Sequence, residues 1–252
     1  MQVMHLQTNS FPNNTGDTMI ELENVCKKFG QRTVLQNVSL YLNRGEFVSI
    51  LGPSGCGKST LFNIITGFVK EDGGSVFVKD DIGYMQQKDL LLPWKTVISN
   101  VVLPLDIRKV NRNKSRKIAE KYIDMFGLGG YEDKYPYELS GGMRQRASFL
   151  RTFLSSKEIM LLDEPFGALD SITRGKMQRW ILNMKRKLGR SVLFVTHDVE
   201  EAIVLSDRIY VLSSKPSKVK KEIAVDFNRD DKENRLFSQE LLSMKQDILK
   251  LL

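Results

Sequence analysis

The chain has few of the residues that build stapled, metal-centred or membrane-spanning proteins. Two of its 252 residues are cysteine, Cys26 in a strand-like stretch and Cys56 in a glycine-rich loop, with no metal-ligand spacing between them. That excludes a disulfide scaffold and a zinc ribbon, and it suits a reduced, cytoplasmic compartment. Histidine is as scarce: His5 stands in the polar start of the chain and His197 follows an apolar run. No window approaches the roughly 18 to 20 uninterrupted apolar residues of a membrane span, so a membrane role must be peripheral or act through a partner. Met1 to Thr18, rich in Asn and Thr, lacks the basic start and apolar stretch of a secretory signal and reads as a flexible leader. No internal repeat or low-complexity segment is present.

What is there is enough for one substantial core with a smaller subdomain, since 41% of 252 residues are hydrophobic. The formal net charge of +8 favours anionic partners: nucleotide, nucleic acid or an acidic membrane surface. Its lysines and arginines are scattered, as in Lys109 to Lys117 and Lys215 to Lys221, without interleaved aromatics. These runs read as solvated surface rather than as a nucleic-acid track.

The most informative stretch follows the apolar run Phe47-Val48-Ser49-Ile50. It reads Leu51-Gly52-Pro53-Ser54-Gly55-Cys56-Gly57-Lys58-Ser59-Thr60 and leads into Leu61-Phe62-Asn63-Ile64-Ile65. A strand, a glycine-rich turn and a helix start, in that order, make G-x-x-x-x-G-K-[ST] a phosphate cradle. Gly52, Gly55 and Gly57 admit turns closed to residues with a Cβ, so that successive N–H groups point at one anion. The helix beginning near Lys58 adds its positive dipole end. Lys58 is expected to reach the β- and γ-phosphates and Ser59 to ligate Mg2+.

Around this stretch the periodicity reads as follows. Met19–Val25 and Val34–Leu42 alternate as strands, an antiparallel edge leading into a parallel sheet. Ser75–Lys79 and Ile82–Met85 are short strands. From about residue 88 to 155 the texture is helical, with Thr96–Ile107 interrupted by Pro104. In Asn113–Phe126 the stripe is Ile118, Tyr122 and Met125. A third helix opens at Leu139-Ser140-Gly141-Gly142 with Met143, Ala147, Leu150 and Leu154 on its core face. The sheet resumes in Glu158–Leu162, a run suited to a buried parallel strand. Helix 171–188, strand 191–196, helix 200–205 and strand 208–212 follow. Ile223, Val225 and Phe227 alternate as an edge strand, and Phe237, Leu241, Met244, Ile248 and Leu251 stripe a final helix. The partition is a leader over 1–18, a main domain over 19–212 and a C-terminal strand and helix over 213–252.

Two strand ends carry acid–base chemistry. Asp163-Glu164-Pro165 closes an apolar strand, where an α/β fold places a magnesium-organising aspartate and a carboxylate that orients water. His197 closes another; alone it reads as structural as readily as functional, and beside the other strand ends it reads as a γ-phosphate contact. Ser140 before two glycines at a helix start is a second anion site, yet the chain has one phosphate loop. It either caps and packs its own helix or closes over a nucleotide held by another subunit.

At this point the chain resembles the nucleotide-binding subunit of an ATP-binding cassette (ABC) transporter, from about Met19 to Leu212. The family's motifs stand in its order: Gly52 to Thr60, a loop glutamine, Leu139-Ser140-Gly141-Gly142, Asp163-Glu164, Ala168-Leu169-Asp170 and His197. The resemblance implies an α/β, P-loop NTPase (RecA-like) core with an antiparallel β edge and an inserted α-helical subdomain. It implies ATP and Mg2+ as ligands, with Ser59, Asp163 and the loop glutamine on the metal. Glu164, His197 and that glutamine are the implied catalytic set. The glutamine is assigned to Gln87, with Gln86 as the alternative. Phe29 stands where the family stacks an aromatic, usually tyrosine, on adenine, so a phenolic hydrogen bond is lost there.

The resemblance further implies a head-to-tail homodimer that sandwiches two ATP, each between Lys58 of one copy and Ser140, Gly141 and Gly142 of the other, with Asp170 facing the neighbour. Leu91-Leu92-Pro93-Trp94 looks like the nitrate/sulfonate/taurine-type importer branch. Leu91, Leu92 and Trp94 either receive a helix of a membrane subunit or pack on the chain's own core. The implied setting is the cytoplasmic face of the cell membrane, with permease subunits as partners, an extracytoplasmic solute-binding protein as an indirect one and no nucleic acid. The competing readings are a soluble cassette ATPase acting on DNA or ribosomes and a regulatory module that binds ATP without splitting it.

Overall fold

Two long alternating segments come first. In the computed structural model, which describes residues 17–156, 158–167, 169–225 and 239–252, β1 (Thr18–Phe29) and β2 (Arg32–Asn43) form an antiparallel hairpin closed between Phe29 and Arg32. His5, Ala168, Phe227, Phe237 and the leader as far as residue 16 lie outside the described residues, and Thr18 already belongs to β1. β4 (Gly73–Val78) pairs with the other edge of β1, so the antiparallel strands make a three-stranded sheet of their own, β2-β1-β4.

The second sheet has six strands. They are β3 (Phe47–Leu51), β5 (Ile82–Met85), β6 (Ile159–Asp163), β7 (Ser191–Thr196), β8 (Arg208–Leu212) and β9 (Val219–Ala224), in the order β5-β6-β7-β3-β8-β9. All pairs are parallel except β8 with β9. Every residue of β3, β6, β7 and β8 is buried, which is why their sequences run apolar instead of alternating. Successive side chains still go to opposite faces. Met160 and Leu162 join Phe47 and Phe194 in the core under the helical segment, whereas Ile159 and Leu161 join Val48, Ile50 and the antiparallel sheet.

Registers set the working edge. Leu51 is level with Thr196 on one side and Val211 on the other, and Asp163 is level with Val195. The C-terminal ends of β3, β6, β7 and β8 therefore open at one height, where α/β folds bind ligands.

Helix α1 (Lys58–Ile65) follows the glycine-rich loop. Between β5 and β6 come α2 (Val97–Val101), α3 (Leu103–Ile107), α4 (Arg112–Ile123) and α5 (Gly141–Ser155). The expected helix over 96–107 is two: it breaks at Val102, and Pro104 occupies the first turn of α3, where its missing N–H costs nothing. In α4 the fully buried line is Ser115, Ala119 and Ile123. Ile118 and Tyr122 pack half-buried beside it, and Met125 is exposed, so the expected stripe is rotated. On α5, Ala147, Leu150 and Leu154 are buried and Met143 is half-buried against the same core.

Helices α6 (Ser171–Leu188), α7 (Val199–Leu205) and α8 (Gln239–Leu249) complete the chain. The segment after Leu212 is tied to the main sheet rather than set apart. β9, which starts earlier than the Ile223-centred pattern suggests, pairs with β8, and Leu241 and Ile248 of α8 pack with Val199, Ala202 and Ile203 of α7. Lys245 and Glu200 close that contact at 2.5 Å. Arg208 joins the two sheets. Its guanidinium meets the carboxylates of Glu46 and Glu222, donates to the Tyr41 carbonyl at 2.9 Å and stacks 3.8 Å from the Tyr41 ring. A buried charge survives only with such a complete set of partners.

Candidate active site

The glycine-rich loop turns through left-handed backbone into the start of α1. Gly55 takes φ +73 and Gly57 φ +124, conformations that side chains resist. Gly52 does not need such an angle; a Cβ there would stand 3.0 Å from Cys56 Sγ and 3.1 Å from Leu212 Cβ, so its role is close packing. Gly57 is the N-cap of α1 and offers no side-chain acceptor, which leaves the first N–H groups of the helix aimed at the loop's mouth. Lys58 is buried and its Nζ donates to the carbonyls of Gly52 (2.7 Å) and Pro53 (3.0 Å). The cavity at this mouth measures about 330 Å3 and is lined by Ser54, Gly55, Gly57, Lys58, Ser59, Thr60, Gln87, Glu164 and Lys215.

The acidic edge faces it. Asp163 ends β6, and its Oδ2 accepts from Ser59 Oγ at 2.9 Å. Burial pushes the Asp163 carboxyl above its ordinary range; the Ser59 bond and Lys58 pull the other way and Glu164 adds to the rise. Ser59 hydroxyl, Asp163 carboxylate and Gln87 amide are hard oxygen donors. Among the described residues no three His, Cys, Asp or Glu gather as a metal cage. That donor set fits Mg2+, which takes one or two protein carboxylates and completes its shell with phosphate and water.

Glu164 adopts φ +47, a left-handed conformation that is costly for a residue with a Cβ. Its N–H donates to Val195 O at 2.9 Å, and its carbonyl accepts from Gln145 Nε2 at 3.3 Å. The carboxylate is held from two sides. Gln87 Nε2 donates to Oε2 at 3.2 Å, and His197 Nδ1 stands 3.4 Å from the same oxygen. Gln87 and not Gln86 is therefore the glutamine at the cavity.

Ser140 lies elsewhere. Its Oγ accepts from Met143 N at 3.3 Å and caps α5, and neither it, Gly141 nor Gly142 lines the cavity at the glycine-rich loop. Ser140 and Gly141 are exposed.

Comparison with known proteins identifies the family. Residues 35–167 match the ABC transporter family. The formylaminopyrimidine import ATP-binding protein ThiZ of Halalkalibacterium halodurans is 44% identical over 87% of this chain and 90% of its own length. The chain belongs to the ABC transporter family. It is an ATP-binding cassette subunit and, as an enzyme, an ATPase. The taurine import ATP-binding protein TauB of Shigella boydii is 36% identical over 84% of the chain and 86% of its own. The dimeric structure of a post-hydrolysis state of the ATP-binding cassette MJ0796, bound to ADP and Pi, superposes with a TM-score of 0.76 at 33% identity. It covers 83% of this chain and 100% of that one.

The remaining expected cassette residues, Phe29, Asp170 and Leu91 to Trp94, do not line this cavity. Phe29 ends β1 with 52% of its surface exposed, Lys27 Nζ 5.4 Å from its ring, and it is not part of the cavity wall. Asp170 is exposed and accepts from Thr173 N at 2.9 Å, which caps α6 and holds its carboxyl below the usual range. Leu91-Leu92-Pro93-Trp94 divides: Leu91 is buried in the helical core, whereas Trp94 is 70% exposed. Sequence reasoning missed two residues. Gln145 was hidden because glutamine on a helix carries no signal of its target, and Lys215 because it stands in a basic run.

Proposed function

We propose that this cassette drives a solute importer by working as a head-to-tail pair, each ATP gripped by the phosphate loop of one copy and the Ser140 helix start of the other. The observation that carries the reading is the separation of the two anion sites. The capped, exposed helix start at Ser140 and Gly141 contributes nothing to the wall of its own chain's cavity, and a second copy would bring the two together. The relatives named as import ATP-binding proteins support the importer role, and the dimeric neighbour supports a pair of cassettes.

Hydrolysis is in-line attack by a water that Glu164 orients, the carboxylate itself aimed by Gln87 and His197. Lys58 and the loop N–H groups stabilise charge on the transferred phosphoryl group. Mg2+, held by Ser59, Asp163 and Gln87, would supply charge neutralisation on the β- and γ-phosphates. Phe29 offers a ring to adenine.

No helix among the described residues is long and apolar enough to cross a membrane, so transport needs permease subunits, and the exposed Trp94 with Leu92 is the patch offered to them. The setting is then the cytoplasmic face of the membrane, with a solute-binding protein acting on the far side. Purification of the tagged chain from its host tests this. An integral membrane protein and ATP-dependent phosphate release in the eluate are expected; ribosomal or DNA partners in its place would overturn the importer reading.

A further inference from the structure

The basic run Lys215 to Lys221 does not behave as one surface. Lys220 Nζ turns to the chain end and donates to Leu251 O at 2.6 Å. Lys215, at the other end of the run, lines the cavity that holds Ser54, Lys58, Ser59 and Glu164. Topology explains the difference. β8 runs parallel to β3 with Val211 level with Leu51, so both strands release their loops at the same edge and side by side. A Cβ on Gly52 would already stand 3.1 Å from Leu212 Cβ.

The turn that carries Lys215 is fastened to the phosphate loop. Ser217 is fully buried, and its Oγ lies 2.6 Å from the Cys56 carbonyl. Its N–H donates to Val34 O at 2.8 Å, and its carbonyl accepts from Gln36 N at 2.9 Å. Ser213 N donates across the turn to Lys218 O at 2.9 Å. The backbone beside Lys215 is thus fixed before any ligand arrives, so binding must order only a side chain. The cavity wall otherwise carries one cation, Lys58, whose ammonium is already shared between the Gly52 and Pro53 carbonyls, and one anion, Glu164.

We propose that Lys215 is a further nucleotide-binding residue, a second cationic ligand for the phosphates of ATP and ADP, supplied by the β8–β9 turn. An exposed ammonium on a flexible stem suits this: it acts as a point charge and sets no strict geometry. The inference rests on the ATP-binding reading of the cavity and adds a wall to it.

The test titrates MgADP and MgATP into full-length wild type, Lys215→Gln, Lys215→Arg and Lys218→Gln by calorimetry at low and high salt. Lys215→Gln should weaken both nucleotides about 3- to 10-fold at low salt, the range of a partly exposed charge-assisted contact, and less at high salt. Lys215→Arg and Lys218→Gln should stay within about twofold of wild type, because one keeps the charge and the other alters a lysine outside the cavity wall. Matching ligand-free melting curves would confirm that the variants fold alike. Lys215→Gln binding as tightly as wild type at both salts would overturn the inference while leaving the cavity a nucleotide site. A wild type that binds neither nucleotide would remove the ATP reading itself.

Discussion

Gln87 donates through Nε2 to Oε2 of Glu164 at 3.2 Å, across the gap between the exit of β5 and the end of β6. His197, from the end of β7, stands 3.4 Å from that same oxygen. One carboxylate oxygen is thereby the meeting point of three strand ends. The backbone beneath it is strained at φ +47 and fixed by Val195 O. Strain kept at a site implies that the surrounding fold over-determines it.

Glu164→Gln tests what that oxygen does. The amide keeps the size of the side chain and removes the base, so turnover should fall about 100-fold or more. ATP binding should persist, and ATP-dependent dimers should accumulate in gel filtration because closure is no longer resolved by hydrolysis. Wild-type phosphate release by the variant would remove Glu164 from the chemistry.

The composite site makes a stronger demand, met only by mixing two dead proteins. Lys58→Ala removes the buried ammonium from one phosphate loop; Ser140→Arg blocks the helix start that closes the opposite one. Each homodimer should be inactive. A one-to-one mixture contains heterodimers with one intact site and should recover a clear fraction of ATPase activity. Loss of the Ser140 cap costs about 1 kcal/mol, which leaves a folded protein to mix. No recovery in heterodimers shown to form by differential tags would refute closure in trans.

Trp94 tests the docking patch without touching the phosphate cavity. Trp94→Ala removes a side chain that is 70% exposed, so the melting temperature and MgADP affinity of the isolated chain should not change. Co-purification with the permease should drop several-fold, since an aromatic anchor at an interface commonly contributes more than about 1 kcal/mol. An undiminished complex would place the permease contact elsewhere.

Glu201 supplies a pH test outside the cavity wall. Burial raises its carboxyl above the ordinary range; Asp198 adds to the rise, while the Thr196 bond at 2.7 Å, Arg174 and His197 oppose it. A raised folded-state value means that the residue favours the fold fully below the unfolded-state value and loses that contribution as pH climbs through the folded one. Gln mimics the protonated form at every pH and can still accept from Thr196. Glu201→Gln should therefore raise the melting temperature relative to wild type more at pH 8 than at pH 4.5. An equal shift at both values would mean that the residue titrates as it does in the unfolded chain.

Much of the site could be read along the chain because its chemistry is local. The spacing from Gly52 to Ser59 needs only a strand before it and a helix after it, and the fully buried runs of β6 and β7 announce strands by composition. Asp163 and Glu164 follow from where such a run stops. Other features depend on residues far apart. Periodicity could not say that the α4 stripe runs through Ser115 and Ala119 rather than Met125, because the direction of the core is set by α5 and the sheet. Nor could it divide Leu91 from Trp94, three residues on, or Gln87 from its neighbour Gln86.

The amino-acid order by itself determined the phosphate loop, the acidic strand end and the family to which they belong, since each is a short segment whose chemistry does not depend on its neighbours in space. Only the tertiary structure decided that Glu164 is aimed by Gln87 and His197, that Ser140 stands outside its own cavity and that Lys215 stands within it. Those relations depend on strand order and register, and both are fixed by packing between segments that the linear chain keeps far apart.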